Sequence, residues 1–340
     1  MTPTLLAVTM VGGLLLAALL GPWAVRRAAP SLARAPRTAV ALLSGAVLVW
    51  VATLLAVGPL LAWLVSGPVL LSGQAAEVCQ RCLAAANPFA ASPVDTAAPA
   101  AGLVVLSSAA AVLMVGAIWR DLLHRRRRTR GSAQWLLADA ESRTVQGHQV
   151  SLFPSESPFA VAFPASQGGI VLSTGALQLL DEGELAAVLA HEKAHLGQRH
   201  HLVSDVLGSV AKHLRWVPLI AAVVDVLPQY LEIAADHRAC RRAGTTALVS
   251  ALVKLGDPSR KGEHHMTSRR AMAPGGGLAP PMVGVLHAAG PERIRQLVAP
   301  VGGMAGAVPA VAIMANLVVL GLVSAVVYLP YAWAVLSGCL

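Results

Sequence analysis

Two histidines and a glutamate stand within one helical turn in the pentapeptide His191-Glu192-Lys193-Ala194-His195. Because residues four apart share a helix face, the two imidazoles can bind one metal ion together. Glu192 then lies beside the open coordination position, where its carboxylate can accept a proton from the attacking water. Asp181 and Glu182 can cap the start of this helix. The spacing predicts zinc-dependent hydrolysis; the competing interpretation is a solvent-facing helix that happens to carry two histidines.

A catalytic zinc ion normally has three protein ligands, and the best candidate for the third is Glu232. Asp236 follows one helical turn later on the same face, so it can hydrogen-bond a ligand imidazole and fix its orientation. The chain has only nine Glu, so two acids at this spacing in an alanine-rich segment are hard to attribute to solubility. An exposed carboxylate pair beside nearby arginines is the competing interpretation. The rival ligands are His200, His201 and His237, whose positions are more typical of exposed or supporting histidines.

Composition indicates a membrane protein, because 56% of the residues are hydrophobic and only 13% are charged. Four apolar stretches are long enough to cross a bilayer at about 20 residues each. They are residues 3–25, 38–65, 98–119 and about 308–335. A fifth apolar run, 216–227, is too short to cross, so we expect a core helix or an interfacial segment there.

The surplus positive charge, formally +9, lies mostly beside the apolar stretches. Loop 26–37 has four arginines and no acid, and six arginines between 120 and 130 follow the third stretch. Residues 131–307 are nearly neutral, with 15 basic and 14 acidic side chains. This asymmetry predicts an outside N-terminus, an outside loop 67–97 and a cytoplasmic catalytic segment, in contact with anionic lipid. It also argues against nucleic-acid binding by the arginine run.

Two cysteines, Cys79 and Cys82, fall in the predicted outer loop, where a local disulfide can form. A strained redox pair, half of a metal site and two free thiols remain the alternatives.

Within 131–307, short apolar runs separated by turn residues predict a small sheet over 134–137, 148–153, 159–163 and 169–173. A loop and the motif helix follow over 174–197, and an amphipathic helix over 202–217. Residues 257–281 are rich in Gly and Pro, which predicts a mobile loop.

Three segments of the chain resemble integral-membrane gluzincin peptidases, namely the HtpX-type and CAAX-prenyl-type proteases and the related BlaR/MecR-type sensor peptidases. The segments are 171–177, 184–195 and 232–236, and the resemblance covers roughly 171–297. It implies that His191, His195 and Glu232 are zinc ligands, Glu192 the base, and Asp236 the partner of a ligand. His287 and Arg293 resemble a downstream His…Arg element, which implies that they stabilise the oxyanion or hold substrate. Departures from the family pattern include Lys193, at a position that is usually apolar.

The sequence therefore predicts a mainly α membrane protein with about four transmembrane helices and a cytoplasmic α+β zincin-like (gluzincin) metallopeptidase domain. We expect a membrane domain over 1–130, the peptidase domain over 131–307, and the fourth span with the C-terminus over 308–340. The expected function is zinc-dependent endopeptidase cleavage of protein or peptide substrates, with signalling through a cytoplasmic transcriptional repressor as one role. Membrane-protein quality control and a non-catalytic zinc-binding sensor are the alternatives. Either 159–163 or 169–173 could receive substrate as an added strand.

Overall fold

The structure is a computed structural model that describes residues 3–66, 97–256, 297 and 306–336. Several residues considered above lie outside the described residues: Cys79, Cys82, His287, Arg293 and the predicted loop 257–281.

The described helices, in chain order, are α1 (Pro3–Leu32), α2 (Pro36–Ser66), α3 (Ala97–Ala138), α4 (Thr174–Leu179), α5 (Glu182–Gly197), α6 (His200–Leu214), α7 (Pro218–Ala243), α8 (Thr245–Gly256) and α9 (Ala307–Leu336). The described strands are β1 (Glu141–Val145), β2 (His148–Phe153), β3 (Ala160–Ala162) and β4 (Ile170–Ser173).

Within the described ranges, five helices are long and apolar enough to cross a membrane: α1, α2, α3, α7 and α9. Four of them contain the stretches predicted from the sequence, and α7 contains the run 216–227 for the most part. Half of the apolar window of α7 is buried inside the protein, against 11–33% for the other four helices. That burial is typical of a core helix, which is one of the two alternatives expected for this run. The number of helices that cross the membrane stays a prediction.

Helix α3 continues far beyond the predicted end of the third span. It carries the arginine run as helix and ends at Ala138, so the strand predicted over 134–137 is wrong. A run of four residues with three apolar side chains fits a helix as well as a strand. Here alanine, leucine and arginine, which are strong helix formers, extend the helix from the span.

The four strands form one sheet in the order β1-β2-β4-β3, with β2 and β4 parallel and the other neighbours antiparallel. Strands β2, β3 and β4 confirm the predicted runs 148–153, 159–163 and 169–173. Strand β1 was not predicted, because its residues are exposed and lack an apolar alternation. The hairpin from β1 to β2 turns at Gln146 and Gly147, both at positive φ, where glycine is favoured.

The sheet and the membrane helices each cover one side of the peptidase helices. Strands β2 and β4 pack against α5 through a core that includes Leu172 and Leu189. Helices α1 and α2 share another core with α6 and α7 that includes Leu43 and Ile220. Helices α1 and α7 approach so closely at Gly21 that an added Cβ there would lie 2.5 Å from Leu219 Cδ1. The core under α7 is therefore built partly by the membrane helices.

Helix α5 begins with a reciprocal cap. The Asp181 carboxylate accepts from the Glu184 N–H at 2.8 Å, and the Glu184 carboxylate accepts from the Asp181 N–H at 2.9 Å. Buried Glu184 also accepts hydrogen bonds from Ser250 and Lys254 of α8, both at 2.6 Å. Burial alone would raise the pKa of Glu184, but these hydrogen bonds outweigh it and hold the pKa below its ordinary value. One carboxylate thus joins the start of α5 to α8.

The pKa of Glu184 predicts a pH-dependent contribution to stability. Because the folded-state pKa is depressed, the carboxylate stabilises the fold above the ordinary value of 4.5, and this stabilisation is lost as pH falls through the folded pKa. We expect Glu184→Gln to lower the melting temperature at neutral pH and to flatten its decline between about pH 6 and pH 3. Glu182→Gln, at an exposed neighbour, is the control. Equal slopes for wild type and Glu184→Gln would contradict this assignment.

Candidate metal centre

Two helices supply the predicted site residues. Helix α5 carries the His-Glu-Lys-Ala-His motif and packs against α7, which carries Glu232 and Asp236. Small side chains such as Ala187, Ala190 and Ala239 lie in the core beside α5 and α7. Because alanine has only a methyl side chain, the two helix axes can approach closely there.

The three predicted ligands come together between these helices. The Nε2 atoms of His191 and His195 lie 3.0 Å apart, and the Glu232 carboxylate lies 3.5 Å from the former and 3.4 Å from the latter. Tetrahedral zinc with bonds of about 2.0–2.2 Å needs its donor atoms about 3.3 Å apart. Two imidazole nitrogens and a carboxylate oxygen are also ligands that zinc prefers. The donor set therefore fits a zinc ion in both chemistry and spacing.

Asp236 contacts one of the two candidate ligand histidines. Its Oδ1 lies 2.9 Å from His191 Nδ1, and both side chains are almost completely buried. A carboxylate here favours the tautomer with the proton on Nδ1, which leaves the Nε2 lone pair for a metal. The supporting role predicted for Asp236 matches this geometry.

The other candidate ligand, His195, contacts His200, which begins α6. Burial lowers the pKa of His200 to about 4, so this side chain is neutral at physiological pH. His200 Nε2 lies 3.3 Å from Gln198 Oε1, so it donates there, and His200 Nδ1 is left to accept from His195 Nδ1 at 2.9 Å. His195 then presents an unprotonated Nε2 to the metal position. The part played by Gln198 was not predicted, because nothing in the local sequence marks it.

Glu192 is buried, with 2% of its surface exposed. It follows Leu185, Val188 and Leu189 at helical spacing, and these three residues pack toward the sheet. Glu192 therefore lies between the ligand histidines and the sheet, on the side from which a substrate held by a strand would approach.

The rival ligands remain apart from this donor set. His237 is exposed and His201 is half-buried, and neither belongs to the group of donors that could hold one metal ion among the described residues. His200 contacts His195 through Nδ1, as a supporting residue would. The roles of His287 and Arg293 stay predictions.

Comparisons with known proteins indicate the class of peptidase that the chain resembles. Residues 136–297 match the model of Peptidase family M48. The chain is similar to a protease HtpX homolog from Aquifex aeolicus (strain VF5), at 37% identity over 65 residues, or 18% of this chain and 22% of that protein. The matched part thus spans about a fifth of that curated relative. No solved structure matches the chain. These findings support a membrane-type M48 metallopeptidase, and M48 peptidases are metalloproteases. The BlaR/MecR subtype stays a prediction.

The donor geometry predicts one zinc ion per chain. We expect His191→Ala, His195→Ala and Glu232→Ala each to abolish stoichiometric zinc, and Asp236→Asn to weaken zinc affinity about 10- to 100-fold. Zinc content by elemental analysis and affinity by competition with a chromophoric chelator measure these effects. Asp225→Asn, at an exposed acid of the same helix, is the control and should bind zinc normally. Normal zinc affinity in Glu232→Ala would move the third ligand elsewhere.

Proposed function

We propose that the protein is an integral-membrane, zinc-dependent endopeptidase that hydrolyses peptide bonds of protein substrates at the cytoplasmic face of the membrane. The observation that carries this proposal is the convergence of His191 Nε2, His195 Nε2 and the Glu232 carboxylate, with Glu192 buried on the same turn of α5. The match to the M48 family model supports it independently. A non-catalytic zinc sensor would need the three ligands but not Glu192.

The side chains divide the chemistry between them. A zinc ion held by His191, His195 and Glu232 would polarise the scissile carbonyl and lower the pKa of the attacking water to about 7. Glu192 accepts the proton of that water on its carboxylate and delivers it to the departing amine. Asp236 and His200 keep the two imidazoles in the tautomers that this requires. By resemblance, His287 and Arg293 hold the substrate or stabilise the oxyanion.

The sheet offers an edge for an extended substrate. Strand β4 lies between β2 and β3, so of the two runs that could accept an added strand only the one containing β3 has an edge that no described strand covers. Ser173 donates to the Phe159 carbonyl and Phe163 donates to the Gly169 carbonyl, at 3.0 and 2.8 Å. Because antiparallel pairing alternates, the backbone groups of Ala160 and Ala162 point away from β4. Strand β3 also contacts α5, so a peptide added there would run beside the motif helix.

The proposal also includes the location and orientation of the protein in the cell membrane. Apolar helices and flanking arginines support a multi-pass protein of the cell membrane with four crossings, an outside N-terminus and a cytoplasmic peptidase segment over 131–307. A membrane-embedded protease with this orientation reaches cytoplasmic proteins. A transcriptional repressor is the substrate we propose for a signalling role, and damaged membrane proteins are the substrates for a quality-control role.

Glu192→Gln tests the proposed base. The amide cannot accept the proton, so we expect turnover to fall by about 10²–10⁴-fold while zinc remains bound. The assay is cleavage of an unstructured fluorogenic protein substrate by full-length enzyme in detergent, with zinc content measured on the same samples. Glu182→Gln, at an exposed acid near the start of α5, should keep full activity. Full activity in Glu192→Gln would refute the mechanism, and a zinc-loaded wild type without turnover would favour the sensor.

Ala162→Pro tests the substrate edge. Proline removes an N–H that points away from β4, so we expect the sheet to survive while the substrate loses one backbone hydrogen bond. Such a bond is worth about 0.5–1.5 kcal/mol, which predicts a fall in kcat/KM of about 2- to 10-fold with an unchanged melting temperature. Ala162→Val retains the N–H and is the control. Unchanged kcat/KM in Ala162→Pro would exclude β3 as the substrate strand.

A further inference from the structure

A cavity of about 630 Å³ lies between the start of α2, the second half of α5 and the end of α7. The residues that matter for its chemistry are Arg37 and Ser44 of α2, His148 of β2, Lys193 of α5, and Arg238 and Arg242 of α7. The proposed peptidase reaction uses none of these six side chains, whereas Gln198 and His200, which also line the cavity, support His195.

The cavity lies mainly against the face of α5 opposite Glu192, although it is also lined by His200, which contacts His195, and by Gln198, which contacts His200. Helix α5 lines it with Ala190, Lys193, Ala194 and Gly197, which recur every three or four residues and so share one face. At 100° per residue, that face lies roughly 150° around the helix from Glu192. A molecule in the cavity would therefore contact the back of the motif helix, away from the scissile bond.

Four cations surround this cavity, and its lining contains no carboxylate. Arg125, Lys212, Arg215 and Lys254 each form an ion pair with an acid. No such pair within 4.0 Å is found for Arg37, Lys193, Arg238 or Arg242 in the part of the chain that the structure describes. Burial, followed by the charges of Lys193 and Arg242, lowers the pKa of His148, so their positive fields overlap at the cavity wall. Such a field attracts an anion.

The cavity also lies at one end of a helix able to span a membrane. Its α2 wall, from Arg37 through Val40 and Ala41 to Ser44, belongs to the apolar window Pro36–Gly58. An arginine at the end of such a window marks the level of the lipid headgroups. Ser44 Oγ is buried and has no hydrogen-bond partner in the described chain, so it can donate to a ligand oxygen. Along α2, the cationic Arg37 comes first, the apolar Val40 and Ala41 follow, and the Ser44 hydroxyl lies one turn further on.

We propose that this cavity binds the phosphate-bearing headgroup of an anionic phospholipid. The guanidinium groups of Arg37, Arg238 and Arg242 can donate paired hydrogen bonds to phosphate oxygens, and Lys193 adds a further charge. Val40 and Ala41 offer an apolar surface for the glycerol ester region, which free phosphate and acidic peptides lack. The bound lipid would join α2, α5 and α7 at the inner surface of the membrane.

The test compares two charge-matched double variants of the full-length protein in an uncharged detergent. Arg37→Gln/Arg242→Gln removes two cavity arginines, and Arg34→Gln/Arg241→Gln removes two exposed neighbours that do not line the cavity. The probe is short-chain phosphatidylglycerol, with binding followed by native mass spectrometry. At about fivefold per arginine, we expect the cavity variant to bind about 25-fold more weakly and the control within about twofold of wild type. Equal losses in both variants would overturn the proposal, because they would indicate diffuse attraction.

Further binding experiments identify which kind of anion occupies the cavity, and they need no arginine variant. Wild type should bind short-chain phosphatidylcholine at least tenfold more weakly than phosphatidylglycerol. Inorganic phosphate or an acidic peptide binding as tightly as phosphatidylglycerol would overturn the lipid assignment. Ala41→Trp should fill the cavity and abolish binding without changing charge, whereas Leu48→Trp, at an exposed position of α2 outside the cavity, should not. Unimpaired binding in Ala41→Trp would place the lipid elsewhere.

Discussion

His191 contacts Asp236, and both side chains are almost excluded from solvent. This contact joins α5 to α7, and the relative position of these two helices determines the geometry of the rest of the site. A carboxylate buried to this degree is costly unless it is hydrogen-bonded, so the pair holds α5 and α7 in one register. In that register Glu232, one turn before Asp236, faces the two Nε2 atoms. A shift of α7 by one residue would move both carboxylates away from them.

Other elements of the fold pack against both α5 and α7 and fix their positions. Helix α5 is anchored to the sheet through Leu189 and to α8 through Glu184. Helix α7 is packed on α1 and α2, and α6 returns the chain so that His200 meets His195. Because a donor set tolerates displacements of only a few tenths of an ångström, such bracing from independent elements is what a preorganised site requires.

The metal set could be predicted because its information is local. The spacing of His191 and His195, and of Glu232 and Asp236, follows from helix periodicity alone. The position of Gln198 and the hydrogen bond that His195 donates to His200 depend on the turn between α5 and α6, for which sequence carries no comparable rule. Strand β1 is defined by pairing with β2 rather than by its own exposed residues, and 134–137 became helix through continuity with α3. Local sequence patterns did not predict the long-range pairing of strand β1 or the continuation of helix α3.

The core shared by α1, α2, α6 and α7 limits how this protein can be rearranged. Residues such as Leu207, Ile220 and Leu231 share one core with side chains from the N-terminal helices. If the peptidase segment were fused to an unrelated membrane anchor, the apolar side chains that now pack against α1 and α2 would be exposed. We therefore expect α7 to be less stable in such a fusion. For the same reason we expect α7, which carries Glu232 and Asp236, to be inherited together with α1 and α2, whose side chains share its core.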